Sequence, residues 1–256
     1  MNSFLANLNK EFTEIKRNAK LVVIIILFFA FGVMNPAVAK LTPWLLEVMS
    51  ESMAESGMIV TEVKVDALTS WTQFFKNIPM ALIAFVLMFA GIFTKEYEKG
   101  TLIPILTKGI SRYKIFLSKM IVLFSLWSVG YFLCYLITFV YNDFFWDNSI
   151  AENLFFAVFN WWLFGIFVIA SVMLFSVIFK SYSSVLLGSG SLVLLGYILG
   201  LFPKIKTFIP TSLMNSSSVI YGVEECDIYV KTIIISCLLI LAFIASGIQI
   251  FNKKQI

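Results

Sequence analysis

Glu96 and Glu98 stand two residues apart among Lys95, Tyr97 and Lys99, and Gly100-Thr101-Leu102 follows directly. The whole stretch, residues 94–119, reads TKEYEKGTLIPILTKGISRYKIFLSK. Its chemistry is that of docking. A charged helix end meets Gly100, which permits a left-handed turn. A short apolar piece from Leu102 to Leu106 carries Pro104, Gly109 marks a second turn, and Ser111 is placed to cap the next helix. The pattern predicts a short helix held between two long ones, with charged corners that a soluble partner could push. A solvated connector is the plainer alternative.

Other chemistries are excluded by residue type. The chain has no His, so acid/base or metal sites built on His are ruled out. Cys134 and Cys237 sit in apolar runs and Cys226 in a polar loop, which is neither a disulfide framework nor a zinc spacing. There is no GxxxxGK[ST] phosphate loop, no GxSxG and no HExxH. No carboxylate or Lys lies mid-run to carry a proton relay. No inverted repeat stands out, which disfavours many secondary transporters. Any energy source must therefore come from another chain, and no cofactor is expected in this one.

The elements that position the 94–119 stretch are membrane helices. Of 256 residues, 60% are hydrophobic and 13% charged, against about 45–50% and 25% in a soluble domain. Spanning takes about 20 apolar residues. Six runs qualify: 21–39, 74–93, 115–141, 154–179, 185–202 and 230–251. Helices are required because lipid offers backbone groups no partner. The fold class is all-α integral membrane, one transmembrane domain over 1–256.

Charge gives the orientation. One side would hold both termini, the 94–114 region with Lys119 just inside the next run, and residues 180–184, with 13 Lys and Arg and 4 acids; the other holds 6 and 11. The first is the cytoplasmic side. This placement also argues against nucleic acid as the partner of the net +4 charge. Ala37-Val38-Ala39 after a basic start resembles a signal-peptide cleavage site, but the 20-residue basic region is long for one, and no cleavage is expected.

Residues 3–19 form a predicted amphipathic helix, with Phe4, Leu5, Leu8, Phe12 and Ile15 on one face and Asn7, Lys10, Glu11, Glu14 and Arg17 elsewhere. It should lie in the cytoplasmic interface, as anchor or as coupling element. Outside, 40–73 reads as an acidic loop containing Gly57. There Thr42 would cap a helix starting at Pro43, and Trp44 and Trp71 would be interfacial anchors. Residues 203–219, with the two residues before them, are too broken to span and too apolar for a loop. A re-entrant segment buried in protein fits. Gly188, Gly190, Gly196 and Gly200 lie in the fifth run; Gly196 and Gly200 form a GxxxG for close helix packing, within the subunit or between subunits.

Glu96-Tyr97-Glu98-Lys99-Gly100-Thr101-Leu102, then Leu106-Thr107-Lys108-Gly109-Ile110-Ser111-Arg112, then Lys119, resembles the pattern of ABC-2 type transporter permeases. Gly109 stands where that family commonly has Pro. Phe208-Ile209-Pro210-Thr211-Ser212-Leu213 is similar to the family's outer re-entrant region. The resemblance implies that residues 3–19 are the elbow helix. It makes Glu96, Glu98, Gly100, Thr101 and Leu102 the coupling region against a separate cytoplasmic ABC ATPase subunit, with Ser111 and Arg112 at its far corner. It also implies ATP and Mg bound by that partner, a second permease copy or paralogue, a bacterial cell membrane, and outward movement of cargo by alternating access. The aromatic content, 27 Phe, 9 Tyr and 6 Trp, favours an amphipathic or hydrophobic substrate: a peptide, an antibiotic or a lipid-like molecule. A membrane scaffold or sensor that binds a cytoplasmic partner without transport is the alternative.

Overall fold

A computed structural model describes residues 3–55 and 65–254. Among them the protein is all helical. The helices are α1 (Ser3–Arg17), α2 (Lys20–Glu55), α3 (Ala67–Phe89), α4 (Thr94–Lys99), α5 (Leu102–Thr107), α6 (Arg112–Phe145), α7 (Leu154–Ile178), α8 (Tyr182–Leu199), α9 (Pro203–Lys206) and α10 (Asp227–Lys253). Two 3₁₀ segments, Asn148–Ile150 and Pro210–Tyr221, complete it. Six of the helices, α2, α3, α6, α7, α8 and α10, are long and apolar enough to cross a membrane. The chain is a multi-pass membrane protein.

Several helices run past the apolar runs that announce them, because lipid imposes composition only on the part it surrounds. α2 continues through Pro36 and Pro43 to Glu55. Thr42 caps nothing there: its hydroxyl donates back to the Val38 carbonyl at 2.8 Å, an ordinary bond inside a helix. Gly57 of the expected outer loop lies outside the described residues. α3 starts seven residues before Phe74 because Asp66 accepts from the Thr69 amide at 3.0 Å, a working N-cap. α8 stops at Leu199, earlier than 202. Phe202 is extended ahead of Pro203, as the pre-proline clash requires.

α7 is the centre of the bundle, with 78% of its apolar window buried, against 11% for α8 and 17% for α10. α2 packs on α6 and α3, α10 packs on α7, and α1 lies against α6. The interior is a run of aromatic rings. Phe28 and Phe85 each meet Trp127 edge-on at 5.7 Å, and Trp127 meets Tyr131 at 5.4 Å. Polar tips find carbonyls, as buried aromatics need: Tyr131 Oη donates to Val158 at 2.7 Å and Trp127 Nε1 to Trp162 at 3.2 Å. Glycines admit the rings. A Cβ on Gly165 would fall inside the Trp127 indole. Trp71 belongs to this interior and is no interfacial anchor. It is fully buried, packs on Tyr135 at 5.6 Å and donates to Asn148 Oδ1 at 3.1 Å. Trp44 is exposed.

The segment after α9 is a 12-residue 3₁₀ run, far longer than the usual three or four residues. Protein contacts hold it. Trp161 Nε1 donates to the Met214 carbonyl at 3.1 Å, and Ser216 Oγ to the Ala157 carbonyl at 3.4 Å. Pro210–Leu213, Ser216, Val219 and Ile220 are buried. Broken backbone is tolerable here because protein surrounds it.

Candidate functional site

The stretch from Thr94 to Arg112 folds as two short helices separated by glycine turns. Gly100 ends α4 with φ 63° and its N–H reaches the Glu96 and Tyr97 carbonyls. Gly109 follows α5 with φ 80°. Both are left-handed positions that favour glycine. Pro104 is the third residue of α5, where its missing N–H breaks no bond. Ser111 occupies the N-cap position of α6 with extended backbone, but its hydroxyl makes no cap bond. The Lys114 amide, the natural target, is already held by the Ser111 carbonyl at 3.0 Å.

This turn has two sides. Glu98, Lys99, Thr101, Ile103, Pro104, Thr107 and Lys108 are exposed. Leu102 is fully buried and Glu96 is 7% exposed. Glu96 and Leu102 are therefore not part of the outer surface; they root the turn from inside. Glu98, Gly100 and Thr101 remain outside or at the edge.

Glu96 enters a buried ion cluster. Lys119 Nζ, on a side chain 2% exposed, lies 2.7 Å from Glu11 Oε2 and 3.0 Å from Glu96 Oε1. Lys10 Nζ lies 3.2 Å from Glu11 Oε1 and 3.5 Å from Glu96 Oε1. Asn7 Nδ2 donates to Ser118 Oγ in a short bond beside it. Carboxylates of Glu11, Glu14 and Glu96 converge, and the cation among them is the lysine ammonium. The cluster joins α1, α4 and α6.

The orientation of α1 follows. Asn7, Glu11 and Ile15 are buried, while Leu5 and Phe12 are exposed at 50% and 49%. The helix turns its Asn7–Glu11 edge into the protein and leaves part of its apolar stripe outside. Asn7, Glu11 and Lys10 were not legible as site residues from the helical wheel. The signal that could have found them is Lys119, an ionisable group inside an apolar run, which needs a partner.

Arg112 closes the far corner differently. Its Nη1 donates to the Phe251 carbonyl at 3.1 Å and, in a short bond, to the Lys254 carbonyl. Those carbonyls end α10, where helix geometry leaves acceptors free and favours cations. Lys254 in turn donates to the Val177 carbonyl at the end of α7 and stands 4.3 Å from the centre of the Tyr97 ring. Burial, then the neighbouring Lys180 charge, holds its pKa below the ordinary lysine value.

Gly196 and Gly200 lie elsewhere, on α8. A Cβ on Gly196 would come within 2.8 Å of Thr211 Cγ2, so this glycine meets the 3₁₀ segment of its own chain. Beside it α3, α7 and α8 enclose an apolar groove of about 450 Å³, lined among others by Leu82, Val86, Phe164, Leu186, Val193 and Tyr197. Nothing in the sequence pattern had marked these residues.

The family model described as ABC-2 family transporter protein matches residues 5–256. No curated protein and no solved structure matches the chain. An all-helical bundle of six spans, with a short exposed double helix between the second and third, agrees with that match. The chain belongs to the ABC-2 family of transporter proteins, as a membrane-spanning permease.

Proposed function

We propose that this chain is the permease subunit of an ATP-driven exporter that moves an amphipathic or hydrophobic substrate out of a bacterial cell. A separate ABC ATPase subunit binds ATP and Mg, and a second permease, identical or a paralogue, completes the complex. Both termini and the α4–α5 turn face the cytoplasm. The observation that carries the reading is the turn itself: α5 stands between two left-handed glycines, exposed on Ile103 and Pro104 and rooted on Leu102 and Glu96. A rigid knob of this kind passes a push to the spans behind it.

Glu98, Gly100 and Thr101 are the contact residues of this reading. Glu96, Leu102, Ser111 and Arg112 hold the turn in place. The groove between α3, α7 and α8 supports the substrate class, because an apolar cleft rewards apolar surface and offers few polar partners. The test is ATP-driven uptake of a fluorescent amphipathic peptide or lipid into inside-out vesicles carrying the complex. Uptake that Val193→Arg abolishes is the expected result. An ATPase rate indifferent to every apolar and amphipathic probe would contradict the substrate class.

A further inference from the structure

Two helix ends on the inner side of the bundle are closed by cations from other elements, and the closures form one chain. The last carbonyls of a helix have no partner within it. At the end of α10 the Phe251 and Lys254 carbonyls are taken by Arg112, at the start of α6. At the end of α7 the Val177 carbonyl is taken by the Lys254 ammonium, with Ile178 at 3.5 Å. The same ammonium faces the ring of Tyr97 in α4 at 4.3 Å. Lys254 thus touches α7 and α4 with its side chain and α6 with its carbonyl.

Rings brace the arrangement from within. Phe251 is fully buried and meets Phe93 at 5.0 Å; Phe93 stacks on Phe116 at 6.1 Å and on Tyr97 at 6.2 Å. Gly247 lets α10 approach, since a Cβ there would sit 2.6 Å from Phe116 Cζ. The α4–α5 turn is therefore held on one flank by α1, through Glu11, Lys119 and Glu96. On the other flank it is held by the ends of α7 and α10.

We propose that Lys254 is a positioning residue for coupling: it fastens the α4–α5 turn to the inner ends of α7 and α10, so that a push on the turn moves those spans. This rests on the reading of the turn as the ATPase docking site. α3, α7 and α8 line the apolar groove; α3 runs on into α4 along the chain, and the fastening at the end of α7 adds a second connection from the turn to the groove. Ammonium-to-carbonyl bonds and the ring contact are directional enough to transmit displacement and weak enough to remake.

The test has two arms. In the full chain, with its three native cysteines replaced and reconstituted in lipid nanodiscs, spin labels are placed at Thr101→Cys on the turn and Ile178→Cys at the end of α7, both exposed positions. A narrow distance distribution is expected, broadened by Lys254→Met and restored by Lys254→Arg. An unchanged distribution in Lys254→Met overturns the fastening. In the complex, Lys254→Met should keep the ATPase subunit and its basal rate but transport about tenfold less per ATP, the scale of losing one charge-assisted bond. A wild-type ratio of transport to ATP overturns the coupling role. If the wild type retains no ATPase subunit, the docking reading fails instead, and the spin-label arm still decides whether Lys254 fastens the turn.

Discussion

The Lys119 ammonium lies 2.7 Å from the carboxylate of Glu11, a residue 108 positions earlier in the chain, and both side chains are within 5% of full burial. The pair nails the amphipathic α1 to the root of the third span. Glu96 completes it at 3.0 Å and brings in the α4–α5 turn.

Removing Lys119 should be severe. Lys119→Met leaves two buried carboxylates with the half-exposed Lys10 as their ion-pair partner. Breaking a buried pair from one side costs roughly 3–5 kcal/mol. Replacing all three charges, Lys119→Met with Glu11→Gln and Glu96→Gln, should recover part of that. Thermal unfolding in mild detergent measures both. Equal midpoints for the wild type and Lys119→Met would remove the cluster from the account.

Glycines should divide by what surrounds them. Gly165→Ala drives a methyl into Trp127, an overpacking worth about 1–3 kcal/mol. Gly190→Ala meets nothing within 4 Å on a helix and should stabilise by about 0.5–1 kcal/mol through chain entropy. Gly196→Ala should fall between, because Thr211 must shift. The predicted order of melting temperatures is Gly190→Ala, wild type, Gly196→Ala, Gly165→Ala.

Glu224 predicts an acid-side loss. Its carboxylate accepts from Ser218 Oγ at 2.6 Å and from Tyr229 Oη in a short bond, with Lys206 at 3.9 Å. The Ser218 and then the Tyr229 hydrogen bond hold its pKa below the ordinary 4.5. A group with a depressed folded pKa stabilises fully above its unfolded value and loses that contribution as pH falls through the folded one. Unfolding midpoints should therefore drop below pH 4.5 in the wild type, and drop less in Glu224→Gln. Parallel curves would assign the acid sensitivity elsewhere.

The six spans were legible because lipid dictates composition over a whole helix, and one uncharged run per span is a strong signal. Glycine turns were legible too, since Gly100 and Gly109 adopt the left-handed backbone their type permits. Helix ends were not. Thr42-Pro43 reads as a start, yet proline inside a long apolar helix is tolerated when neighbours re-satisfy the backbone. Burial of individual residues was not legible either. Glu96 and Glu98 are equivalent in sequence, and only the third dimension puts one in an ion cluster and the other outside. The wheel placed Glu11 away from the apolar face because it counted hydrophobic neighbours, while the partner that buries it lies on α6.

Co-purification from native membranes in mild detergent tests the central claim most directly, comparing wild type with Glu98→Lys/Ile103→Asp. Both changes lie on the exposed side of the turn and leave the Lys119 cluster intact. The account predicts that an ATP-binding subunit comes down with the wild type and is lost or uncoupled in the variant. A wild type that brings down no nucleotide-binding protein would contradict it, and a partner of any other kind would favour a scaffold or sensor instead.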